Sequence, residues 1–507
     1  MEAYEDRANE AEKKSDIGLL EEINKDIQEI SMEIDTLENK KDNPAITTYE
    51  SAVNSYDIST NEKTAKYFPA IQSQGSVKGS CVSFSVCYYM FSYEANKLND
   101  INSKILANCY SPEWGHVNFK NNQSSIYSGL KNMGCLKWNE FLYSDNGDLT
   151  LTEASEEELL NALKTRASGQ MNIVYMGYLD GKTNKYIVNC NTAQIEIIKQ
   201  LLREDKVLHV STNADWDERK TSNNEVIIVR AGSKPNRGHA LTVVGYDDNI
   251  WCDVNKNGKK DAGEVGAFKV ANSWGTGYGN KGFYWVLYDA LYSSSEMAGF
   301  SESSYKYSRV PALGVKATVF SVKNYKPNVI AKVEFKNLDV NKTRVSWGNT
   351  SGNIYQAENV LLNDKMNPTD YTMFMDYDTM ADTVDEVIGV KRYNIKIMNR
   401  ASDDTSAHFS SAKFSLVDNK NNTLNSLKSN ITRLGTYSTC TYLYLGDTNY
   451  SRQIDKEDAS FILNVALGIN DSNNSSYLQL MLSDYNQDGV VNLQDSQEVL
   501  KKAISSN

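Results

Sequence analysis

A cysteine at the mouth of a helix, directly after a loop punctuated by glycine, is well placed to be a nucleophile. The segment Gln74-Gly75-Ser76-Val77-Lys78-Gly79-Ser80-Cys81-Val82-Ser83-Phe84-Ser85 has that layout. A helix N-terminus carries partial positive charge and unpaired N–H groups, which favour thiolate over thiol and cradle the oxyanion formed when sulfur attacks a carbonyl. A lone cysteine on an apolar helix is otherwise a buried, inert side chain, so the reading needs a base elsewhere in the chain. Two later segments supply it: Arg237-Gly238-His239-Ala240-Leu241-Thr242-Val243-Val244-Gly245-Tyr246 and Ala271-Asn272-Ser273-Trp274-Gly275-Thr276-Gly277-Tyr278-Gly279. Each is a short β-type run ending in glycines. A histidine on a rigid strand takes the thiol proton, and a second polar side chain, here Asn272, holds the ring in one tautomer.

In this order the three segments resemble the papain-like cysteine peptidases, over roughly residues 60 to 308. The resemblance implies a two-lobed catalytic domain, helical on one side and β-rich on the other, with a cleft between. It implies Cys81 as nucleophile, His239 as general base and acid, Asn272 as the residue orienting the imidazole, Gln74 as an oxyanion-hole donor beside the Cys81 N–H, and Trp274 as a shield over the Asn–His bond. Three features depart from the family. Gln74 lies seven residues before Cys81 where six is usual, through the extra Lys78; Val82 replaces an aromatic; and the family's disulfide cysteine just before the nucleophile is missing. Two rival readings share these residues: an acyltransferase on the same triad, and a catalytically silent adhesion or inhibitor-trapping module.

Calcium chemistry is written three times in the chain. Between His239 and Asn272, the segment 253–264 sets Asp253, Asn255, Asn257, Asp261 and Glu264 at loop positions 1, 3, 5, 9 and 12, with Gly258 at 6. Hard Ca²⁺ takes six to eight oxygens, glycine allows the sharp turn, and Glu264 binds through both oxygens, so an EF-hand-type loop is expected. The Lys259 carbonyl would take position 7. The last 60 or so residues repeat a loop running into an amphipathic helix: Asp447, Asn449, Ser451 and Asp458 in one copy, Asp484, Asn486, Asp488 and Asp495 in the other. The duplication resembles a dockerin. That resemblance implies docking onto a cohesin module of a scaffoldin, with Lys456, Glu457, Leu493 and Gln494 at the contact, in the cellulosomes of anaerobic bacteria. The first loop has Ser451 and Arg452 where Asp and Gly are usual, which weakens its expected affinity.

The elements around these sites follow from pattern and bounds. At 507 residues, 40% hydrophobic and 23% charged, the chain needs several cores and has ordinary globular composition. Its net charge of −12 argues against a nucleic-acid partner, and no apolar run is long enough to span a membrane. Seven cysteines are too few for a disulfide scaffold and leave at least one thiol free. Residues 5 to 42 read as one helix with a narrow apolar stripe, either a leader that blocks the cleft or a helix that docks on the catalytic domain or pairs with another chain. A polar connector fills 45 to 70. A helix from Cys81 to Leu98 buries Phe84, Tyr88, Phe91 and Ala95; further helices are expected near 122 to 134, 154 to 167 and 192 to 204, then strands from Val207. After 310, alternating runs at 315–322, 329–335, 371–377, 390–397 and 407–417 predict an antiparallel β-sandwich used for packing or as a spacer. His116, His209 and His408 lack a catalytic neighbourhood and read as structural. The expected organisation is a multidomain α+β chain: residues 1–44 a helix, 45–310 the peptidase domain, 311–440 the sandwich, 441–507 the dockerin. Peptide substrates and an extracellular, cellulosome-associated setting follow from the two resemblances. An export signal, if one existed, has been trimmed from this chain.

Overall fold

The structure is a computed structural model. It describes residues 53–505 apart from 77, 120–121, 146–153, 181–184, 189, 232–237, 293–311, 340–341, 350–353, 356–368, 378–390, 402, 442–444, 450, 452, 470–476 and 487. The expected helix over 5 to 42 and the turn residue Arg452 lie outside the described residues. What is described is a mixed α+β protein.

Cys81 opens the helix α1, in which Cys81–Ser83, Phe84–Phe91 and Ser92–Leu98 follow without a break. The middle eight residues wind in the wider π form, and every one of them is buried. A helix apolar on all sides has to run through a core rather than along a surface, and this one does. Four shorter helices surround it: α2 (Pro112–Phe119), α3 (Gln123–Asn132), α4 (Glu156–Ala162) and α5 (Thr192–Arg203). Side-chain caps start three of them, with Asn122 before α3, and full capping boxes at Ser155/Glu158 and Asn191/Gln194.

Against α1 lies a nine-stranded sheet of β1 (Ser55–Asp57), β2 (Thr165–Tyr175), β5 (Leu208–Asn213), β6 (Trp216–Lys220), β7 (Val226–Ala231), β8 (Gly238–Trp251), β9 (Val265–Ala271), β10 (Phe283–Leu287) and β11 (Lys316–Asn324); β3 (Gly177–Asp180) and β4 (Lys185–Val188) form a separate hairpin. The order is β2-β11-β5-β8-β9-β10-β7-β6, with β1 added along β8. Neighbours are antiparallel except β10 and β7. The long β8 is central, and its partner β9 returns through the loop that carries Asp253 to Glu264.

Three expectations are corrected. The stretch 45 to 70 is more than a connector, because Ser55–Asp57 pairs with Gly245–Asp247. The helix expected over 154 to 167 stops at Ala162; Thr165 onward is strand, because β11 pairs with it from Asn324↔Thr165 to Lys316↔Tyr175. That same pairing moves 316–324 out of the expected sandwich and into the nine-stranded sheet, where β11 also meets β5.

Beyond residue 325 come β12 (Ile330–Leu338), β13 (Thr343–Asn349), β14 (Ile354–Tyr355), β15 (Thr369–Asp376), β16 (Lys391–Asn399), β17 (Ser411–Val417), β18 (Thr423–Ser426) and β19 (Gly435–Thr441). They form two four-stranded antiparallel sheets, β15-β12-β17-β18 and β14-β13-β16-β19, whose side chains share one apolar cluster including Val333, Trp347, Met375, Ile395 and Phe414. This unit is docked on the first: Leu160 and Leu163 pack with Ile330, Phe374 and Val417, and the Arg166 guanidinium pairs with Asp376, both side chains buried. Three helices close the chain, α6 (Lys456–Ala466), α7 (Tyr477–Ser483) and α8 (Leu493–Ser505). Ala459, Ile462 and Val499 form the small core between α6 and α8.

Candidate active site

The three segments that carry the catalytic reading converge from α1, β8 and the end of β9. Ser85, one turn into α1 from Cys81, donates to the Leu241 carbonyl at 2.9 Å and meets Thr242 Oγ1 at 2.8 Å. About one turn further along α1, the Tyr89 hydroxyl donates to the Asn272 carbonyl at 2.9 Å. The helix that Cys81 opens is thus bonded to β8 just past His239 and to the residue that follows β9. Cys81 is buried, at 7% exposure.

His239 sits near the start of β8, opposite Thr212 of β5, and Asn272 follows Ala271, the last residue of β9. His239 Nε2 lies 2.7 Å from Asn272 Oδ1. The Ser273 backbone N–H also donates to that oxygen, at 2.7 Å, which fixes it as an acceptor. Nε2 must then carry the proton, and Nδ1 is the ring atom with a free lone pair. The Trp274 ring stacks on the imidazole, centroids 4.7 Å apart at 30°, and Trp216 closes the other approach at 6.0 Å from His239 and 5.2 Å from Trp274. Burial under these rings pushes the His239 pKa down to about 4, against the smaller upward pull of the Asn272 bond. A ring kept neutral at ordinary pH is a proton acceptor.

Gln74 is held at both ends of its backbone and by its side chain. Its N–H donates to the Ser273 carbonyl at 2.7 Å, its carbonyl accepts from the Tyr143 hydroxyl at 2.6 Å, and its Oε1 accepts from Ser273 Oγ at 2.5 Å. With Oε1 occupied, the amide presents its NH₂ as the donor end. Consecutive residues thus hold the two side chains: Asn272 bonds the His239 ring, and Ser273 bonds Gln74. Trp216, Tyr89, Ser273 and Tyr143 were not singled out from the sequence for these roles. Ser273 and Trp274 at least stood inside the Asn-Ser-Trp-Gly run, whereas nothing local marks Trp216 or Tyr143. Of the other histidines, His209 is fully buried with Nδ1 2.9 Å from Ser85 Oγ, and its pKa is pushed down to about 3 by burial; His408 pairs with Asp404 on the β unit.

The three acidic loops share one hydrogen-bond pattern. The position-12 carboxylates Glu264, Asp458 and Asp495 are fully buried. Each accepts from N–H groups early in its loop and again three residues before itself: Val254 and Asp261 to Glu264, Thr448 and Asp455 to Asp458, Asn486 and Asn492 to Asp495. The position-1 carboxylates Asp253, Asp447 and Asp484 accept from Asn257, Ser451 and Asp488. Gly258 and Gly489, at φ +74° and +88°, make the sharp turns. Among the described residues no lysine or arginine pairs with Glu264, Asp458 or Asp495; the three buried carboxylates accept from backbone N–H groups and, at Asp458, from the Thr448 hydroxyl, a donor set that fits a cation as further partner. Asn255 and Asn257 both turn Nδ2 onto Asp261 Oδ2 at 2.6 Å; rotating either amide presents Oδ1 instead. Among the described residues no group of three or more His, Cys, Asp or Glu side chains is placed to hold a metal ion.

Neither a protein-family model nor a curated protein matches the sequence. Solved structures similar to the chain are cysteine proteases. Xylellain from Xylella fastidiosa is 17% identical, with 54% of this chain and 87% of that one covered at a TM-score of 0.32. Bromelain from Ananas comosus with the inhibitor E64 is 14% identical, covering 53% and 99% at 0.33. Procathepsin B S9 from Trypanosoma congolense is 14% identical, covering 56% and 85% at 0.35.

Proposed function

We propose that the chain is a cysteine peptidase of the papain-like type, exported and held on a scaffold by a calcium-dependent dockerin at its C-terminus. The observation that carries the catalytic part is the His239–Asn272 bond at 2.7 Å under the stacked Trp274, at the place where α1 brings Cys81. In this reading His239 Nδ1 takes the Cys81 proton as sulfur bonds to the peptide carbonyl carbon, and the carbonyl electron pair moves onto oxygen. The Gln74 amide and the Cys81 N–H hold that oxyanion. Nδ1 then protonates the leaving amine as the C–N bond breaks, and water, deprotonated by the same nitrogen, releases the acid from the thioester. Asn272 keeps Nδ1 aimed inward throughout.

Calcium would be held by Asp253, Asn255, Asn257, Asp261 and Glu264 in the first loop, and by the Asp447 and Asp484 loops in the tail. Bound there, the cation neutralises the buried position-12 carboxylates and tightens each loop. The shared hydrogen-bond pattern of the two tail loops, each running into a helix, supports the dockerin and its cohesin partner. The two four-stranded sheets with one shared core support the sandwich reading of the middle unit. The test is Cys81→Ala, which should abolish hydrolysis of a denatured protein substrate while cohesin binding persists in calcium; turnover by that variant overturns the assignment.

A further inference from the structure

The loop between Gln74 and Cys81 is gripped from outside itself. Asp145, 64 residues on from Cys81 in sequence, lays its carboxylate across the loop backbone: Oδ2 accepts from the Ser76 N–H at 2.7 Å and Oδ1 from the Lys78 N–H at 3.0 Å. Gly75 makes room for this. At φ +68° it has a left-handed backbone, and a Cβ there would fall 1.7 Å from Asp145 Oδ2. Behind the carboxylate, the ammonium of Lys78, the loop's additional residue, pairs with Glu113 of α2; both side chains are almost wholly buried. Tyr143, two residues before Asp145, bonds both ends of the loop, donating to the Gln74 carbonyl and meeting Ser80 Oγ at 2.6 Å.

A loop with two glycines has many conformations open to it, yet the proposed oxyanion donors stand at its two ends and have to keep a fixed separation. We infer that Asp145, with the buried Lys78–Glu113 pair behind it, is a clamp that positions Gln74 and the Cys81 N–H for the oxyanion. These are positioning residues: none touches the reacting atoms. The extra Lys78 is then the piece that lets a loop one residue longer be tied down by charge.

The inference rests on the peptidase reading, and two rates measured on the full chain separate them. Alkylation of Cys81 by iodoacetamide displaces iodide at carbon and forms no oxyanion, so it reports the thiol and His239 alone; peptide hydrolysis needs the oxyanion site as well. Asp145→Ala should lower kcat for a peptide substrate by about 10- to 100-fold, with KM and the alkylation rate within about twofold of the parent. Asp145→Asn, which keeps one acceptor oxygen, should recover part of that loss. Adding Gln74→Ala to Asp145→Ala should cost little beyond the larger single effect, because both act on one site. Gly75→Ala, which pushes the carboxylate off the loop, gives the same readout should Asp145→Ala fail to fold. An unchanged kcat, or a fall in alkylation equal to the fall in kcat, overturns the clamp. A parent protein that is neither alkylated at Cys81 nor hydrolytic overturns the peptidase reading itself.

Discussion

Buried imidazoles make this protein's stability sensitive to acid in a defined window. His239 and His209 have folded pKa values of about 4 and about 3, both lowered by burial, against about 6.5 for an unfolded histidine. Between those limits the unfolded chain binds protons that the folded chain refuses. The contribution of these two rings to stability is therefore flat above about pH 7 and falls as pH drops toward 4, by up to about 1.4 kcal/mol per pH unit for each ring. His209→Asn, away from the proposed chemistry, should remove one proton from the uptake on unfolding between pH 6 and 4.5, read from urea titrations across that range. Asn272→Ala should behave otherwise. It leaves the base in place but frees the ring, so kcat should fall by about 10- to 100-fold with KM little changed, while Cys81→Ala leaves no turnover. At this level the sequence marks Cys81, His239 and Asn272 in short runs with distinctive neighbours, and the fold brings His239 and Asn272 within hydrogen-bond distance. What it hid are side chains that work across distance. Asp145 and Tyr143 lie in a stretch without local pattern, and only the folded loop shows what their oxygens hold.

Helices were legible where an amphipathic stripe began at a cap, as at Asn122 and Asn191, and less so where tertiary pairing overrode the pattern. The run after Ser155 starts as a helix should, with its capping box, but the strand partner offered by β11 claims the chain from Thr165. Alternation showed that 315–322 is a strand and could not say which sheet it joins, since period-two patterning is the same in either. That matters for the loop between β8 and β9. If calcium binds Asp253 to Glu264, it stiffens the start of β9, the strand that leads into Asn272. Adding calcium to about 100 times the loop's dissociation constant should then stabilise the folded chain by about 2.7 kcal/mol. Glu264→Gln should abolish that gain in a chain already carrying Asp447→Ala and Asp484→Ala, followed as the melting temperature with calcium and with chelator. Equal melting with and without chelator in the Glu264 parent would mark a plain turn. The comparison belongs in the full chain, because a fragment ending at 310 would strip β11 from the sheet.

The parts are joined more closely than a chain of beads. Arg166 on β2 and Asp376 on β15 meet in a buried ion pair, beside the apolar contact of Leu160 and Leu163 with Ile330, Phe374 and Val417. Losing one partner strands the other charge in a dry interface, which typically costs about 3–5 kcal/mol, whereas an apolar pair of similar size is nearly neutral. Asp376→Ala should therefore separate the unfolding of the two units, with tryptophan fluorescence and peptidase loss no longer coinciding in urea. Arg166→Met with Asp376→Leu should restore much of the coupling. The β unit is then a support fixed to the nine-stranded sheet through Arg166, Leu160 and Leu163.

The peptidase reading stands or falls on Cys81 as a thiol activated by His239. The direct measurement is active-site labelling of the full chain with an epoxide-bearing thiol reagent, the adduct located by peptide mass spectrometry and the rate compared with His239→Ala. The account predicts one adduct per chain, on Cys81, formed alongside complete loss of hydrolysis and slowed by at least about 100-fold without the imidazole. Labelling spread over other cysteines, or a Cys81 adduct that leaves hydrolysis intact, would contradict it.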